Sequence, residues 1–420
     1  MKNYKILISA FGSYGDVLPL ISLAQEFASR DYDVIFYANP YFESKIKDPC
    51  IRFVAIGTQE EYVALFSQTN ERDAVKSFKH IAHELQKLMP DYYDFMKKDV
   101  LDLNTIVIHN SLLFAARLIS ETEKIPCVTI HLAPSVFRSN DNPARIAPVW
   151  INSMTPIPIK YLAWWAMDTL FYDPFFTLPL NMFRKKLGLP KVKRIFKSWI
   201  HEADLVVGLF PSWFAPAQND WSKNILLTGF PLFDQIDKKE LSKEIMKFIK
   251  SDLPTVVFSA GTASASENEF FRICVEVCQG LSIQGILLSP FSEHIPSDLP
   301  QNVLYVPYVP FSLLLPHVDI FVHHGGIGSL SQALYSGVPQ IIRPGAYDQF
   351  DNSDRVVKLG VAKEILPFDY TTSNVQHAIT ELLQDHVMQQ TCKYISSKLQ
   401  NNDVIKTTCD SIVRRFFIHE

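Results

Sequence analysis

No two cysteines in this sequence stand at CxxC spacing, and none of the six has a second Cys/His pair at ligand distance, so the usual zinc arrangements are excluded. The cysteines are also too scattered for a disulfide framework, which points to a reducing cytoplasm. Cys274 and Cys278 share a helical face by their i, i+4 spacing and read as core residues. No run of about 20 apolar residues occurs. The nearest, from Ile159 to Leu180, is interrupted by Asp168 and by Asp173-Pro174, so no transmembrane helix is expected. The apolar stretch after Met1-Lys2-Asn3-Tyr4-Lys5 is short and breaks at Gly12-Ser13-Tyr14-Gly15-Asp16 without a small-residue cleavage site; it reads as a first strand rather than a signal peptide. No block of five or six like charges appears and the formal net charge is -4, which argues against a nucleic-acid partner.

What is present is a large apolar fraction, 47% over 420 residues, more than one hydrophobic core usually holds. Two lobes are the expectation. Short β-rich runs alternate with helical patterns from the start: Lys5 to Ser9, a helix carrying Leu18, Ile21, Ala24 and Phe27, then Val34 to Tyr37. That is βαβ, hence a parallel sheet. Further strands are expected at Phe53–Ile56, Thr105–Ile108, Cys127–Ile130 and Leu205–Val207, with a long helix from about Val75 to Lys98. The pattern restarts after Gly229-Phe230-Pro231, with strands at Thr255–Ser259, Gly285–Leu288, Asp319–Val322 and Gln340–Ile342. The fold class is therefore α/β, with two Rossmann-like doubly wound lobes, 1–228 and 229–420, facing a central cleft; the last helix is expected to be able to pack back on the first lobe. Between 140 and 180 the regularity fails in a stretch dense in Pro and aromatics, expected as an irregular insertion.

The segment Val322-His323-His324-Gly325-Gly326-Ile327-Gly328-Ser329 reads as strand, glycine turn and helix start. Bare N–H groups there can approach a diphosphate, and the helix presents its positive end to it. His324 can donate to the same oxygens, and Ser329 can cap the helix or bond a phosphate. The sixth position of a GxGxxG fingerprint is Ser331, and a Walker Gly-Lys-Ser/Thr is absent, so neither a dinucleotide loop nor a P-loop fits. A glycine turn that binds nothing remains open at this point. Downstream, Asp348-Gln349 suits sugar hydroxyls but also reads as a helix N-cap; upstream, Tyr308-Val309-Pro310-Phe311 offers an aromatic face or simple packing. Asp16, in a glycine loop at the carboxyl edge of the first sheet, is placed either to do chemistry or to favour a helix dipole. His109 reads as a cleft residue or a satisfied structural histidine.

The order Tyr308-Val309-Pro310-Phe311, Leu315-Pro316-His317-Val318-Asp319, His324-Gly325-Gly326-Ile327-Gly328-Ser329, Gly337-Val338-Pro339 and Asp348-Gln349 resembles the donor-binding signature of the family 1 glycosyltransferases of GT-B fold. With Gly12 to Val17 and His131-Leu132-Ala133-Pro134-Ser135-Val136-Phe137-Arg138-Ser139, the chain is similar over nearly its whole length to rhamnosyltransferases of glycolipid synthesis and to sterol glucosyltransferases.

The resemblance implies that Tyr308 and Val309 meet the donor base, with Tyr308 in place of a stacking tryptophan and Phe311 in place of a glutamine. It puts His324, Gly326, Gly328, Ser329 and Thr262 on the diphosphate, and Ser13 on the donor as well. Gln332 stands where relatives carry a glutamate for the ribose, and Asp348 and Gln349 match the sugar pair. Acceptor contacts are implied at His109, Pro134, Ser135 and Trp150. The implied reaction is a hexose transfer (rhamnose or glucose type) from a dTDP- or UDP-sugar to the hydroxyl of a lipophilic acceptor such as a hydroxy fatty acid, a sterol or another natural product. Asp16 acts as general base, the product is inverted, and neither metal nor cofactor is needed, the nucleotide-sugar being a co-substrate. The aromatic stretch, with Trp150, Trp164, Trp165 and Phe171, is expected to form an acceptor funnel and a weak membrane contact, which allows a cytoplasmic chain to be peripheral on the inner face of the membrane. The rival readings are a nucleotide-sugar 2-epimerase of the same fold and a non-catalytic nucleotide-sugar-binding protein.

Overall fold

The computed structural model describes residues 4–68, 74–100, 104–232, 240–261, 267–400 and 403–417. Two all-parallel sheets account for its strands. The first holds β1 (Lys5–Ser9), β2 (Asp33–Ala38), β3 (Ile51–Ala55), β4 (Thr105–Asn110), β5 (Cys127–His131), β6 (Leu205–Gly208) and β7 (Ile225–Leu227) in the order β3-β2-β1-β4-β5-β6-β7. The second holds β8 (Thr255–Ser259), β9 (Gln284–Leu288), β10 (Val303–Val306), β11 (Ile320–His323), β12 (Gln340–Ile342) and β13 (Ala362–Glu364) in the order β10-β9-β8-β11-β12-β13. The central strands β4, β5 and β8 are buried along their whole length, as parallel strands covered by helices on both faces must be.

Each sheet reverses its strand order once, between β1 and β4 in the first lobe and between β8 and β11 in the second. Ligands of doubly wound sheets bind outside the carboxyl ends of the strands at such a point. Those ends carry the loop of Asp16 in one lobe and the glycine turn after His323 in the other.

The lobes are not independent. One apolar cluster takes Phe137, Phe210 and Phe214 from the first lobe and Leu330, Ile342 and Val356 from the second. The helix Val404–Phe416 follows the second sheet in sequence but packs on the helix Tyr14–Ala28, with Val404, Cys409 and Ile412 in the same core as Ile6, Leu20 and Phe27.

The stretch expected to be irregular is largely helical. Ile157–Met167 is α-helix, Asp168–Thr177 continues as π-helix around Pro174, and Leu178–Lys186 returns to α-helix. The acidic residues read as breaks are held instead: Asp168 is buried against Arg138 at 2.5 Å, and Asp173 pairs with Arg194 at 3.0 Å. Among the described residues no helix is long and apolar enough to cross a membrane.

Candidate functional site

Asp16 opens the helix Tyr14–Ala28 from within a capping box, accepting hydrogen bonds on Oδ2 from the Ser13 backbone N–H (2.8 Å) and the Ser13 hydroxyl (2.9 Å). Gly12 makes this possible. Its φ is +134°, and a Cβ there would lie 2.4 Å from Asp16 Oδ2. The helix-terminus alternative for Asp16 is thus met, and the cap uses only one of its carboxylate oxygens. Burial pushes the Asp16 carboxyl up, while the two Ser13 bonds pull it down.

The loop bearing Asp16 is fixed from β4. Asn110 donates from its amide to the Phe11 carbonyl at 2.6 Å and accepts from the Phe11 N–H at 3.4 Å. Tyr92 donates to the Ala10 carbonyl at 3.1 Å and Tyr62 to the Gly12 carbonyl at 3.3 Å. None of these three side chains was singled out from the sequence; their partners lie 50 to 99 residues away, so no local spacing signals them.

In the second lobe, His324 lies between two glycines. A Cβ at Gly261 would sit 2.6 Å from its Cε1, and one at Gly326 would sit 2.5 Å from its Nε2. Among the described residues its Nδ1 has no hydrogen-bond partner and is shut off from solvent, and burial holds the ring down to about 4, so it is neutral near pH 7. Gly326 is the N-cap of the helix Ile327–Ser336, and a Cβ at Gly328 would meet nothing within 4 Å, which leaves open space over the first turn. Ser329 lies in that turn, half-buried, and Gln332 is buried one turn further on. Neighbouring His323 is spent structurally, bonded to Gln340 and to the Gly325 N–H.

Asp348 and Gln349 separate in role. Gln349 accepts on its amide oxygen from the N–H groups of Gly345 (2.7 Å) and Ala346 (3.1 Å), bracing its own loop. Asp348 faces the cleft: burial pushes its carboxyl up to about 6, Asn352 pulls it down through a 2.7 Å bond, and Asp16 of the other lobe raises it. Asn352 also donates to the Gly325 carbonyl at 3.0 Å, tying the Asp348 loop to the glycine turn. Tyr308 is half exposed and lies close enough to Tyr14 to raise its hydroxyl further after burial and Tyr41 have done so.

Other expectations change. His109 has both ring nitrogens occupied inside the sheet, by the Asn110 carbonyl at 2.8 Å and the Thr129 hydroxyl at 3.1 Å, and has no atom left for an acceptor. The Val309 side chain belongs to the core with Leu314 and Phe321, so only its main chain can meet a base. Trp150 packs edge-on against Trp164 beneath the helix Ile157–Met167. Pro134 is buried and Ser135 half-buried in a 3-10 turn that touches the helix Gln349–Lys358 of the other lobe. Thr262 lies outside the described residues.

Two small, largely apolar cavities lie behind the Asp16 loop and share Leu88 and Tyr92 in their walls, the one beside Gly12 also reaching Asn39, Glu61 and Glu84. One opens beside Phe11 and Gly12; the other ends against Phe175, Phe176 and Leu180.

Comparison with known proteins places this fold among glycosyltransferases. Residues 6–139 match the glycosyltransferase family 28 N-terminal domain, and residues 288–417 match the erythromycin biosynthesis protein CIII-like C-terminal domain. An uncharacterized UDP-glucosyltransferase of Bacillus subtilis is 24% identical over 97% of this chain and 96% of its own length. A sterol 3-beta-glucosyltransferase of Saccharomyces cerevisiae is also 24% identical over 98% of the chain, which spans only 35% of that longer protein. Among solved structures, the kitacinnamycin glycotransferase superposes with a TM-score of 0.77 at 20% identity, over 99% of this chain and all of the other. VinC in complex with dTDP gives 0.67 at 17% identity over 98% and 99% of the two chains.

Proposed function

This chain is a GT-B glycosyltransferase that draws its sugar from a nucleotide-sugar donor, and from that premise we propose an inverting, metal-independent hexose transfer to a lipophilic alcohol, with Asp16 as general base. What supports the acceptor class is the largely apolar lining of the two small cavities, one beside Gly12 and the other against Phe175 and Phe176. An apolar chain seated there puts its hydroxyl at the Asp16 loop. The free carboxylate oxygen accepts the hydroxyl proton as the new bond to the anomeric carbon forms, since an alcohol is too weak an acid to ionise first. Charge developing on the leaving diphosphate meets the N–H groups of the helix Ile327–Ser336 and the neutral His324 N–H. Asp348 holds sugar hydroxyls, and Tyr308 stacks on a uracil or thymine base. The work is done in the cytoplasm, where nucleotide-sugars and a free acceptor hydroxyl meet.

The test is a rate comparison. Initial rates on alkyl alcohols of rising length are expected to climb by about 0.8 kcal/mol of apparent affinity per methylene until the cavities are filled, with polar sugars poor acceptors. A preference for polar acceptors, or no trend with length, removes the lipophilic reading. Full activity in excess chelator is expected, and a strict metal requirement removes the metal-independent one.

A further inference from the structure

The helical segment from Ile157 to Lys186 has two unlike faces. Inward, Trp164, Asp168, Phe176, Leu180 and Arg184 are buried, and Phe175, Phe176 and Leu180 close the end of the acceptor cavity. Outward, Leu162 is 63% exposed, Trp165 54%, Leu170 73%, Leu178 60% and Met182 70%. These side chains recur every three to eight residues, with exposed Pro174 inside the longest gap, so the row passes unbroken through the π-helical turns. A single exposed leucine needs no explanation, but a contiguous apolar row marks a contact surface.

Charge beside the row says what it contacts. Between Asp173 and Glu202 the chain has no acidic residue, although its net charge is -4. In that interval Lys185, Lys186, Lys191, Lys193 and Lys197 are all exposed. None of the five forms an ion pair among the described residues; the described arginines there do, Arg184 with Glu121 and Arg194 with Asp173. Lys197 sits 5.9 Å from the ring of exposed Tyr161, and Lys185 and Lys186 end the helix that carries Met182, so these three lysines border the apolar row.

We infer that this outward face docks on an anionic lipid surface, the apolar row entering the headgroup boundary and the lysines meeting lipid phosphates. A second copy of the chain fits worse, because a two-fold contact through this face would set one row of unpaired lysines against another. The inference rests on the lipophilic-acceptor reading for its purpose: the helix that would touch the lipid is the one whose other face closes the acceptor cavity, so a membrane-dissolved alcohol has a short way in.

Vesicle sedimentation of the full chain tests it, with phosphatidylcholine alone or mixed with phosphatidylglycerol. Binding is expected only to the mixed vesicles, weakened by high salt. Leu178→Ser with Met182→Ser, and separately Lys185→Glu with Lys186→Glu, are each expected to lower partitioning about tenfold or more while rates on a short water-soluble alcohol stay at wild type. The exposed lysine pair keeps the test valid if the apolar pair disturbs folding. No binding to anionic vesicles, unchanged partitioning in the lysine variant, or a concentration-dependent dimer abolished by the apolar variant overturns the inference. Failure here with a persistent chain-length preference leaves the acceptor reading standing; docking without any such preference removes that reading alone.

Discussion

Asp16 can cap its helix only because Gly12 has no side chain, and the base proposed for the same carboxylate makes a prediction of its own. Asp16→Asn keeps the shape and the Ser13 bonds within reach but cannot take a proton, so kcat is expected to fall by about 10²–10⁴-fold with donor affinity nearly unchanged. Titration calorimetry with the donor beside steady-state rates checks both halves. A base must be ionised to act, and burial holds this carboxyl above its ordinary range, so kcat/KM should rise with pH along a limb starting above about 3.9. Asp348 supplies a stability test. With its folded value raised to about 6, the folded state binds the proton more tightly than the unfolded one between about 4 and 6, so stability falls as pH rises through that window. Asp348→Asn removes this penalty. Its melting temperature should exceed wild type at pH 8 but not at pH 4, while the KM for the donor rises; an equal shift at both pH values would show that burial is not the cause.

The helical segment from Ile157 to Lys186 hangs on Arg138, whose guanidinium pairs with buried Asp168 and lies over the rings of Trp164 and Tyr172. Arg138→Met leaves Asp168 buried without its closest partner and is expected to lower stability by about 3–5 kcal/mol, most of it restored by adding Asp168→Leu. Denaturant melts of the single and double variants measure this. The same element shows where sequence patterning stopped. Asp168, Asp173 and Pro174 read as breaks because helix signals are local, whereas the arginines that satisfy the two carboxylates lie 30 and 21 residues away and a π-turn accommodates the proline. The central strands were legible as buried apolar runs, and the segment after His323 as a glycine turn that opens a helix. Strands β7, β10 and β13 were not: each lies at a sheet edge and is only three or four residues long, too short to show a period. Asp16 and His324 stood out by their glycine neighbours, while Asn110 acts on a backbone 99 residues away that no spacing encodes, and Asn352, though i, i+4 from Asp348, also bonds the distant Gly325 carbonyl.

At the scale of the whole molecule, the shared cluster of Phe137, Phe214, Leu330 and Val356 and the pair between Arg145 and Glu364 at 2.8 Å join the lobes beside the cleft. The helix Val404–Phe416 adds a third tie, and Thr408 donates to the hydroxyl of Thr228 at 3.0 Å next to the crossing from one lobe to the other. A chain ended at residue 402 is expected to melt at lower temperature and to bind the hydrophobic dye ANS, because Leu20, Leu23 and Phe27 lose the cover of Val404, Cys409 and Ile412. Retention of the full melting temperature would show that the helix is dispensable. Its position in the chain matters for biosynthesis. A ribosome releases the first lobe long before this helix is made, so that lobe emerges with an uncovered stripe and cannot reach its final packing until the second lobe has been translated. The half that carries Asp16 therefore completes its core last, so a product of premature termination displays an apolar surface for chaperones and proteases to recognise.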